Sequence, residues 1–395
     1  MTRPFEGIKI IDVTHVLAGP FAAYQLAVLG ADVIKVEHPV DCDQSRQTGF
    51  DRELNRRNMG TGFMTQGSNK KSITLDLKQE RGREILKQLV KDADVMVENY
   101  RPGAFPALGI GYEDMKKINP RLIYCSMTAF GQDGPRGNMT AYDHAIQALS
   151  GVMATTGTPE VHPIKVGTPV IDYATGTMGA FALASALFQR ERTGKGQYID
   201  SSMLDVAMMM LASNITGHMY TGKTPQPHGN QHQYASNSCY ETKDGLLMLA
   251  ASNRGQHKRL FAALGRPDLG DKDYEYRQEN FESEAAVLRK ILSERTAAEW
   301  EEFLQARHVP AGRVRPMDQA LKDPQFETRK ILHRHERVPG ADKPVTVPMC
   351  AFKFAHGGPS IETPPPQLGQ HNEEILQGLG YTKADIAALR ADGII

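Results

Sequence analysis

The stretch Val166–Gln189 contains a single charged side chain, the carboxylate of Asp172. It stands in "VGTPVIDYATG", directly before the apolar run "TMGAFALASALFQ". Aspartate is a preferred N-cap residue, so this carboxylate can accept an N–H group of a helix that begins near Tyr173. The same place suits a nucleophile, because the positive end of a helix stabilises the ionised form while apolar flanks limit access of water. The residues alone leave both roles open.

A second candidate element is the turn "HVLAGP", His15–Pro20, which places small residues just before a helical pattern. Free N–H groups at a helix N-terminus attract an anion or a developing oxyanion, although a plain β-to-α turn explains the same residues. No GxGxxG follows the first strand pattern, and GxxxxGK[ST] does not occur in the sequence. Dinucleotide binding and nucleotide hydrolysis therefore lack their usual phosphate-binding loops.

The thirteen histidines and four cysteines do not form a metal-binding pattern. His228 and His232 are four residues apart in a loop and lack the glutamate of HExxH. His333 and His335 are predicted to point away from each other on a helix. The cysteines are widely separated without a CxxC, which favours reduced thiols. We expect no metal site.

The elements that must position these residues alternate in period along the N-terminal part of the chain. Apolar runs rich in Ile and Val alternate with helical patterns, which implies an α/β fold with a Rossmann-like, mainly parallel sheet covered on both faces. Ligands are then expected beyond the carboxyl ends of the strands. The predicted strands are "IKIIDV", "DVIKVE", "SITLDL", "DVMVE", "RLIYCSM" and "GQYIDSSM".

A length of 395 residues suggests more than one domain. A polar, glycine-containing loop at Thr221–Ser238 breaks the alternation, and the following hundred or so residues read as a smaller α+β domain. We predict that residues 1–220 form most of a large α/β domain and that residues 221–330 form the small one. Residues 331–395 are predicted to be a return linker with helices that complete the large domain.

Composition bears on partners and location. The 46 basic residues balance 46 acidic ones, and no block of like charge stands out, so neither nucleic acid nor a membrane surface is an expected partner. The N-terminus runs into a strand pattern without an apolar signal segment, and the longest weakly polar stretch is short and dotted with Thr, Ser and Gly. We expect a cytoplasmic protein that acts on small molecules.

A set of short motifs is spread over nearly the whole chain. The motifs are "HVLAGP", "ADVIKVEHP", "NKKSITLDLK", "ADVMVENYRPGA", "GQDGP", "AYDHAIQALSG", "IDYATG", "RTGKGQYIDSSM" and "GQHNEEIL". Each motif is weak individually, but their common order and spacing are specific, and together they resemble those of the class III CoA-transferases, the CaiB/BaiF proteins. This family includes formyl-CoA transferase, crotonobetainyl-CoA:carnitine CoA-transferase and, as a cousin, α-methylacyl-CoA racemase.

The resemblance implies that Asp172 is the catalytic nucleophile. It would attack a donor acyl-CoA to give a mixed anhydride, and the CoA thiolate would then form an aspartyl-CoA thioester. N–H donors for the oxyanions are expected in the "HVLAGP" turn and in the loop around Gly229. No tightly bound cofactor is implied, since coenzyme A enters as acyl-CoA substrate.

The resemblance also implies the residues that bind CoA. They lie in the loops after the strands, and Lys78 and Arg101 would meet its phosphates. The implied contacts are His15, Val16, Leu17, Ala18, His38, Leu75, Lys78, Asn99, Tyr100, Arg101, Leu108, Tyr142 and Met203.

Some positions depart from the family pattern. Ala107 replaces an arginine that many relatives carry, so one phosphate contact must be absent or replaced, for which Arg101 is a candidate. Leu17 and Thr48 replace a glutamine and a tryptophan of formyl-CoA transferases, so we do not expect formate or oxalate as substrate. The pocket for the acid is expected from the Thr48 region, Tyr142 and the loop 229–237.

Two other functions stay open beside transfer. A racemase would pair the aspartate with a histidine, but Tyr142 occupies that position and His144 is displaced by two. A non-catalytic CoA-binding protein is the other alternative, and the intact Asp172 argues against it. The family architecture further implies an interlocked homodimer of ring-shaped subunits.

Overall fold

The computed structural model describes residues 2–395. The strands are β1 Lys9–Val13, β2 Asp32–Glu37, β3 Lys70–Thr74, β4 Val95–Glu98, β5 Ile123–Thr128, β6 Gln197–Ser202, β7 Cys239–Glu241, β8 Leu246–Leu249, β9 Ala311–Arg313, β10 Leu332–His335 and β11 Val345–Pro348. The helices are α1 Ala18–Val28, α2 Arg52–Arg56, α3 Thr61–Met64, α4 Glu80–Lys91, α5 Ala104–Ala107, α6 Tyr112–Ile118, α7 Asp143–Ser150, α8 Val170–Thr193, α9 Met203–Met210, α10 Ala212–Thr221, α11 Arg254–Ala263, α12 Pro267–Gly270, α13 Tyr274–Glu279, α14 Phe281–Leu292, α15 Ala297–Gln305, α16 Met317–Ala320, α17 Pro324–Arg329, α18 Asn372–Gly378 and α19 Lys383–Ala391.

The chain divides into two compact units. The first contains Met1–Val152, Lys165–Lys223 and Glu327–Ile395, and the second contains Met153–Ile164 and Thr224–Phe326. The second unit thus includes a short segment between α7 and α8, in addition to the stretch where the sequence analysis places the small domain.

The first unit is built on a six-stranded sheet of order β3-β2-β1-β4-β5-β6. All neighbouring strands are parallel. This confirms the predicted α/β class with a parallel sheet. Parallel strands buried on both faces need apolar side chains on both sides, which explains the Ile and Val runs. One boundary differs from prediction: β3 ends at Thr74, so Leu75 lies beyond the strand.

Helices cover both faces of this sheet. One face packs against α4, α6, α18 and α19, whose buried side chains share a core with those of β1 and β3. The other face packs against α1 and α8. The C-terminal helices therefore belong to the first unit, where the backbone N–H of Asp76 also donates to the carbonyl of Ile394 at 2.8 Å.

Helices α1 and α8 approach each other closely near their N-termini. A Cβ atom on Gly176 would lie 2.7 Å from the carbonyl oxygen of Ala18, and one on Gly179 would lie 3.3 Å from Cβ of Ala22. Glycine at these positions lets the two backbones meet. Because both helices begin at the carboxyl edge of the sheet, this packing brings the first turn of α1 beside the first turn of α8.

The 24-residue helix α8 is long and apolar enough, by length and composition, to cross a membrane. Core helices pass the same test, and here Leu183, Ala186 and Leu187 of α8 are buried against the sheet and α1. The helix ends at Gly194, which adopts a left-handed conformation with φ 71° and donates its N–H to the Arg190 carbonyl. Glycine is the usual residue for this C-terminal turn.

The segment predicted as linker contains an antiparallel hairpin, β10–β11. His333 and His335 both lie on β10, so the prediction that they point apart on a helix is wrong. Alternate residues of a strand face the same side, and the two rings lie 4.5 Å apart.

The second unit has a three-stranded antiparallel sheet, β7-β8-β9. Its core joins Leu247 and Leu249 of β8 to Leu260, Leu288 and Trp300 from the surrounding helices. Capping boxes begin α11 at Asn253 and α15 at Thr296.

Candidate active site

Asp172 lies in the first turn of α8, where two cavities of the first unit meet. The first cavity, of about 360 Å³, lies toward the loops after β1, β4 and β5. The second, of about 520 Å³, lies toward Thr48 and the segment 165–169. Val16, Leu17, Tyr142 and Asp172 line both. The Asp172 carboxylate can therefore be reached from two sides.

Asp143, the first residue of α7, holds the beginning of α8. Its Oδ2 accepts the N–H groups of Ile171 at 2.7 Å and of Asp172 at 3.1 Å. Asp143 thus satisfies N–H groups that a helix leaves free at its start. The interpretation of Asp172 as the N-cap is wrong, because α8 begins at Val170 and the carboxylate of Asp143 accepts these N–H groups.

The environment of Asp172 disfavours its ionised form. Burial and the nearby carboxylate of Asp143 raise the pKa of Asp172 to about 7. The sequence led us to expect that the helix end keeps this carboxylate ionised. The structure differs because Asp143 already uses the N–H groups and adds a like charge.

The backbone before α1 is held in a conformation that is rare for a β-branched residue. Val16 has φ 68°, in the left-handed region that valine avoids. Its N–H donates to Oδ1 of Asp43 at 2.9 Å, and its carbonyl accepts Nε2 of Gln66 at 2.6 Å. The carbonyl of Thr14 accepts Nζ of Lys35 at 2.7 Å. These buried side chains keep the strained turn in one shape.

The neighbouring residue His15 is fixed as well. Its N–H and carbonyl bond to the side-chain amide of Asn99 at 2.8 and 2.9 Å. Its Nε2 lies 2.6 Å from the hydroxyl of Tyr100. Burial and the charge of Lys35 lower the pKa of His15, so the ring is neutral near pH 7.

Two buried ion pairs lie next to this turn and stabilise it. Nζ of Lys35 lies 3.0 Å from Oδ2 of Asp43, and both side chains are almost completely buried. Burial alone would raise the pKa of Asp43, but Lys35 and the Val16 N–H hold it well below its usual range. Nζ of Lys70 lies 2.8 Å from Oδ2 of Asp12. Removal of either partner of such a buried pair leaves the other charge unpaired and strongly destabilises the fold.

The clamped turn leaves donors free at the start of α1. The first bond that closes α1 runs from the N–H of Phe21 to the Leu17 carbonyl. Pro20 has no N–H, and within residues 2–395 no acceptor bonds the N–H groups of Leu17 and Ala18. Leu17 and Ala18 line the first cavity together with Asp172. These N–H groups are therefore available as donors to an oxyanion formed in this cavity.

The Gly229 loop, the other expected source of donors, lies in the second unit. The N–H of Gly229 itself donates to the Gly157 carbonyl at 2.6 Å. This N–H is therefore not free for an oxyanion, contrary to the expectation for that residue.

The structure brings most of the predicted CoA contacts to one cavity. Those that line the first cavity are His15, Val16, Leu17, Ala18, Asn99, Tyr100, Arg101, Tyr142 and Met203. Arg101 is exposed there, and within the described residues 2–395 its guanidinium makes no ion pair. A free guanidinium at the cavity mouth suits a phosphate.

Four predicted contacts lie outside this cavity. Leu75 is 1% exposed in the sheet core, and Leu108 packs against the same core. His38 has Nε2 3.6 Å from Oδ1 of Asp76. Lys78 is exposed beyond β3. Their contact with CoA stays a prediction.

Several residues of the site were not predicted from the sequence. Asp143 of α7 accepts N–H groups at the start of α8, and Gln147 donates to Asp143. Asp43 and Gln66 hold the Val16 turn. An acidic residue in an otherwise apolar helix start, as in "AYDHAIQ", was the available signal for Asp143. Gln44 and Lys165 line the second cavity. Residues 2–395 contain no group of three or more His, Cys, Asp or Glu that could hold a metal ion.

Comparison with known proteins shows similarity to CoA-transferases over almost the whole chain. The model for CoA-transferase family III matches residues 5–372. The chain is 34% identical over 392 residues to succinate--glutarate CoA-transferase of Agrobacterium fabrum, covering 95% of this chain and 96% of that protein. It is 37% identical to succinyl-CoA:glutarate CoA-transferase of Mus musculus, covering 100% and 90%. Acetyl-CoA:oxalate CoA-transferase of Acetobacter aceti is 38% identical, covering 87% of this chain and 89% of that one.

Solved structures agree. A CaiB/BaiF family protein from Brucella suis superposes with a TM-score of 0.82 at 32% identity, covering 96% of this chain and 100% of that one. A hypothetical protein, Rv3272, from Mycobacterium tuberculosis superposes with a TM-score of 0.81 at 30% identity, covering 94% and 99%. The chain, in which Asp172 lines two cavities together with free backbone N–H groups, belongs to CoA-transferase family III and is a class III CoA-transferase.

Proposed function

We propose that this enzyme moves CoA from a donor acyl-CoA to a free carboxylic acid, with Asp172 as a nucleophile that carries first an acyl group and then CoA. The observation that supports this most directly is the position of Asp172, which lines both cavities beside the free N–H groups of Leu17 and Ala18. One cavity would hold the end of CoA and the other the acid.

The steps balance without a further reactant. The Asp172 carboxylate attacks the thioester carbonyl, the C–S bond breaks, and a mixed anhydride and CoA thiolate result. The thiolate attacks the aspartyl carbonyl, which gives aspartyl-CoA thioester and the donor acid. The acceptor carboxylate then attacks this thioester and expels the thiolate. Attack of the thiolate on the acceptor carbonyl yields the new acyl-CoA and regenerates Asp172.

Each attack places negative charge on a carbonyl oxygen next to the start of α1. The N–H groups of Leu17 and Ala18 would stabilise it, and the clamp on Val16 would keep these donors aimed without reorganisation. Asp172 must be ionised to attack, so its raised pKa makes the ionised form reactive but scarce below pH 7.

We place CoA along the first cavity, with Met203 near the thiol and Arg101 near a phosphate. His38, Leu75, Lys78 and Leu108 remain proposed contacts farther along the cofactor. The names of the relatives support a small acid as the partner substrate. That formate and oxalate are not substrates stays a prediction from Leu17 and Thr48.

We also propose the family's interlocked homodimer of ring-shaped subunits, a CoA-binding domain formed by residues 1–220 with 331–395, a small domain at 221–330, and a cytoplasmic location. Exposed apolar side chains on α8 and α9 support burial of these surfaces in a dimer. Phe181 and Phe188 are 66% and 61% exposed, and Met209 is 69% exposed.

The proposed chemistry is tested by measuring transfer of CoA from a donor acyl-CoA to free acids. The protein is incubated with a donor acyl-CoA and a set of free acids, and new CoA esters are identified by mass spectrometry. We expect new esters from the wild-type protein, and a CoA adduct on the peptide that contains Asp172. Asp172→Asn should abolish both while CoA still binds, whereas Asp318→Asn on the exposed helix α16 should change neither.

Two outcomes would contradict the proposal. Exchange at the wild-type rate by Asp172→Asn would remove the nucleophile from its role. Deuterium uptake at the α-carbon of an acyl-CoA without CoA exchange would favour a racemase. That outcome is not expected, because this chain has Tyr142 at the position where the racemase has its histidine.

A further inference from the structure

The second cavity contains one strong cation. The titratable side chains of His, Lys, Asp and Glu that line it are Asp143, His144, Lys165 and Asp172. Asp143 is committed to the N–H groups of α8. Lys165 is exposed to the cavity, and within residues 2–395 no acidic side chain pairs with it. A lysine without a partner in a cavity that ends at a nucleophile is a ready receptor for an anion.

Side chains of α7 hold the backbone next to Lys165 and the backbone of Asp172. The N–H of Val166, next to Lys165, donates to Oε1 of Gln147 at 2.8 Å. Nε2 of the same Gln147 donates to Asp143 at 2.5 Å, and Asp143 accepts the N–H of Asp172. Gln147 is 1% exposed and Asp143 6% exposed, so solvent does not compete with these bonds.

This chain of bonds connects the backbone beside Lys165 to the backbone of Asp172 through one turn of α7. Both residues line the second cavity. Apart from Asp143 and His144, the rest of the lining has no charged side chain. Lys165 is therefore the strong cation that an anionic group of a substrate would meet in this cavity.

We propose that Lys165 determines the specificity of the enzyme for dicarboxylic acids. This inference rests on the proposed function of Asp172. One carboxyl group of the acid reacts at Asp172, and the ammonium group of Lys165 binds the distal carboxylate. A monocarboxylic acid of the same length leaves Lys165 unpaired and gains nothing from it. The distance between Asp172 and Lys165, whose backbones are both anchored on α7, then selects the length of the diacid.

The test compares a series of saturated diacids with monoacids of the same chain length, with one donor acyl-CoA throughout. Initial rates of new ester formation give kcat and KM for each acid. The wild-type enzyme should prefer one diacid length, with kcat/KM about 10- to 100-fold above that of the matched monoacid, as expected for one charge-assisted contact. Lys165→Met should lose this preference through a higher KM for the diacid.

Two further variants sharpen the result. Lys165→Arg keeps the charge, so it should retain a preference for diacids with an altered optimal length. Lys117→Met, on the exposed surface of α6, is the matched control and should behave as the wild type. Because Lys165 is exposed, its removal should leave the unfolding temperature unchanged.

The outcomes separate the two proposals. Exchange by the wild type with a preference for monoacids, or an unchanged preference for diacids in Lys165→Met, would overturn the role of Lys165 and leave Asp172 as nucleophile. Absence of exchange with every acid would overturn the proposed function, and with it the inference that rests on it.

Discussion

Asp143 binds the backbone of Asp172 while its charge opposes ionisation of the Asp172 side chain. Oδ2 of Asp143 lies 3.1 Å from the N–H of Asp172, and the same carboxylate contributes, after burial, to the raised pKa of Asp172. The helix N-terminus that would stabilise a nucleophilic carboxylate is therefore shared. Asp143 gains the hydrogen bonds, and Asp172 keeps a proton to a higher pH.

The first prediction concerns the pH dependence of the wild-type enzyme. If Asp172 is the nucleophile, as proposed, only its ionised form can attack, so kcat/KM for CoA exchange should rise with pH and level off above about 7, the raised pKa of Asp172. The measurement is the initial exchange rate over a range of pH with an acid that is fully ionised throughout. A rate that stays constant from pH 5 to 9 would argue against titration of Asp172.

The second prediction uses Asp143→Asn. The amide oxygen can still accept the N–H groups of Ile171 and Asp172, although the bond from Gln147 is lost. Removal of the like charge should lower the pKa of Asp172, so the rising limb of the pH profile should move to lower pH. Asp318→Asn should leave the profile in place. A limb that moves to higher pH would show that Asp143 does not act through its charge.

The third prediction links the pKa of Asp172 to stability. Its folded-state pKa of about 7 lies above the ordinary value of 3.8, so ionisation costs stability as pH rises between these values, and the cost is complete above about 7. Asp172→Asn lacks this cost. It should be more stable than the wild type at pH 8.5 by about 1 to 2 kcal/mol, after allowance for partial exposure, with a smaller gain near pH 4. Urea unfolding at both pH values measures the difference, and an equal gain at both would contradict it.

The fourth prediction tests the clamp on Val16 with Gln66→Met. This change removes the donor to the Val16 carbonyl, 2.6 Å away, and fills a similar volume. The free energy of unfolding should fall by about 1 kcal/mol, whereas kcat should fall about 10-fold because the donors at Leu17 and Ala18 are no longer held in place.

A contrasting change separates positioning from folding. Asp43→Asn breaks the buried pair with Lys35 and should cost about 3 to 5 kcal/mol of stability. Parallel measurement of kcat, KM and urea unfolding distinguishes the two variants. If Gln66→Met lowers stability but leaves kcat unchanged, the clamp has no role in catalysis.

The parallel sheet could be predicted because its strands are buried on both faces, so β1, β2 and β4 read as short apolar runs between helical patterns. Asp172 drew attention because an isolated charge in an apolar stretch is conspicuous, but its role as nucleophile was implied by the resemblance to class III CoA-transferases and not by the stretch itself. The interaction of Asp172 with Asp143 could not be predicted, because Asp143 lies on a separate helix, α7, and meets α8 only in the folded chain.

The turn at Val16 shows the same limit. Its donors come from residues 43 and 66, which no local pattern connects to residue 16. The hairpin β10–β11 was missed because its strands are short and partly exposed, so neither shows a clear apolar alternation. Local periodicity therefore predicted the elements, and long-range hydrogen bonds determined the site.

The last prediction concerns the close contact between α1 and α8. A Cβ atom on Gly176 would lie 2.7 Å from the Ala18 carbonyl oxygen and 2.9 Å from Cδ1 of Phe21. Gly176→Ala should push α8 away from α1, lower the free energy of unfolding by about 1 to 3 kcal/mol, and reduce kcat because Asp172 moves away from the Leu17 and Ala18 donors.

The matched control is Gly217→Ala on α10, where a Cβ atom would meet nothing within 4 Å. This change should raise stability by up to about 1 kcal/mol, because alanine favours helix more than glycine does, and should leave kcat unchanged. Unfolding in urea and exchange rates on both variants provide the comparison. Equal effects of the two substitutions on kcat would mean that the spacing of α1 and α8 does not position Asp172.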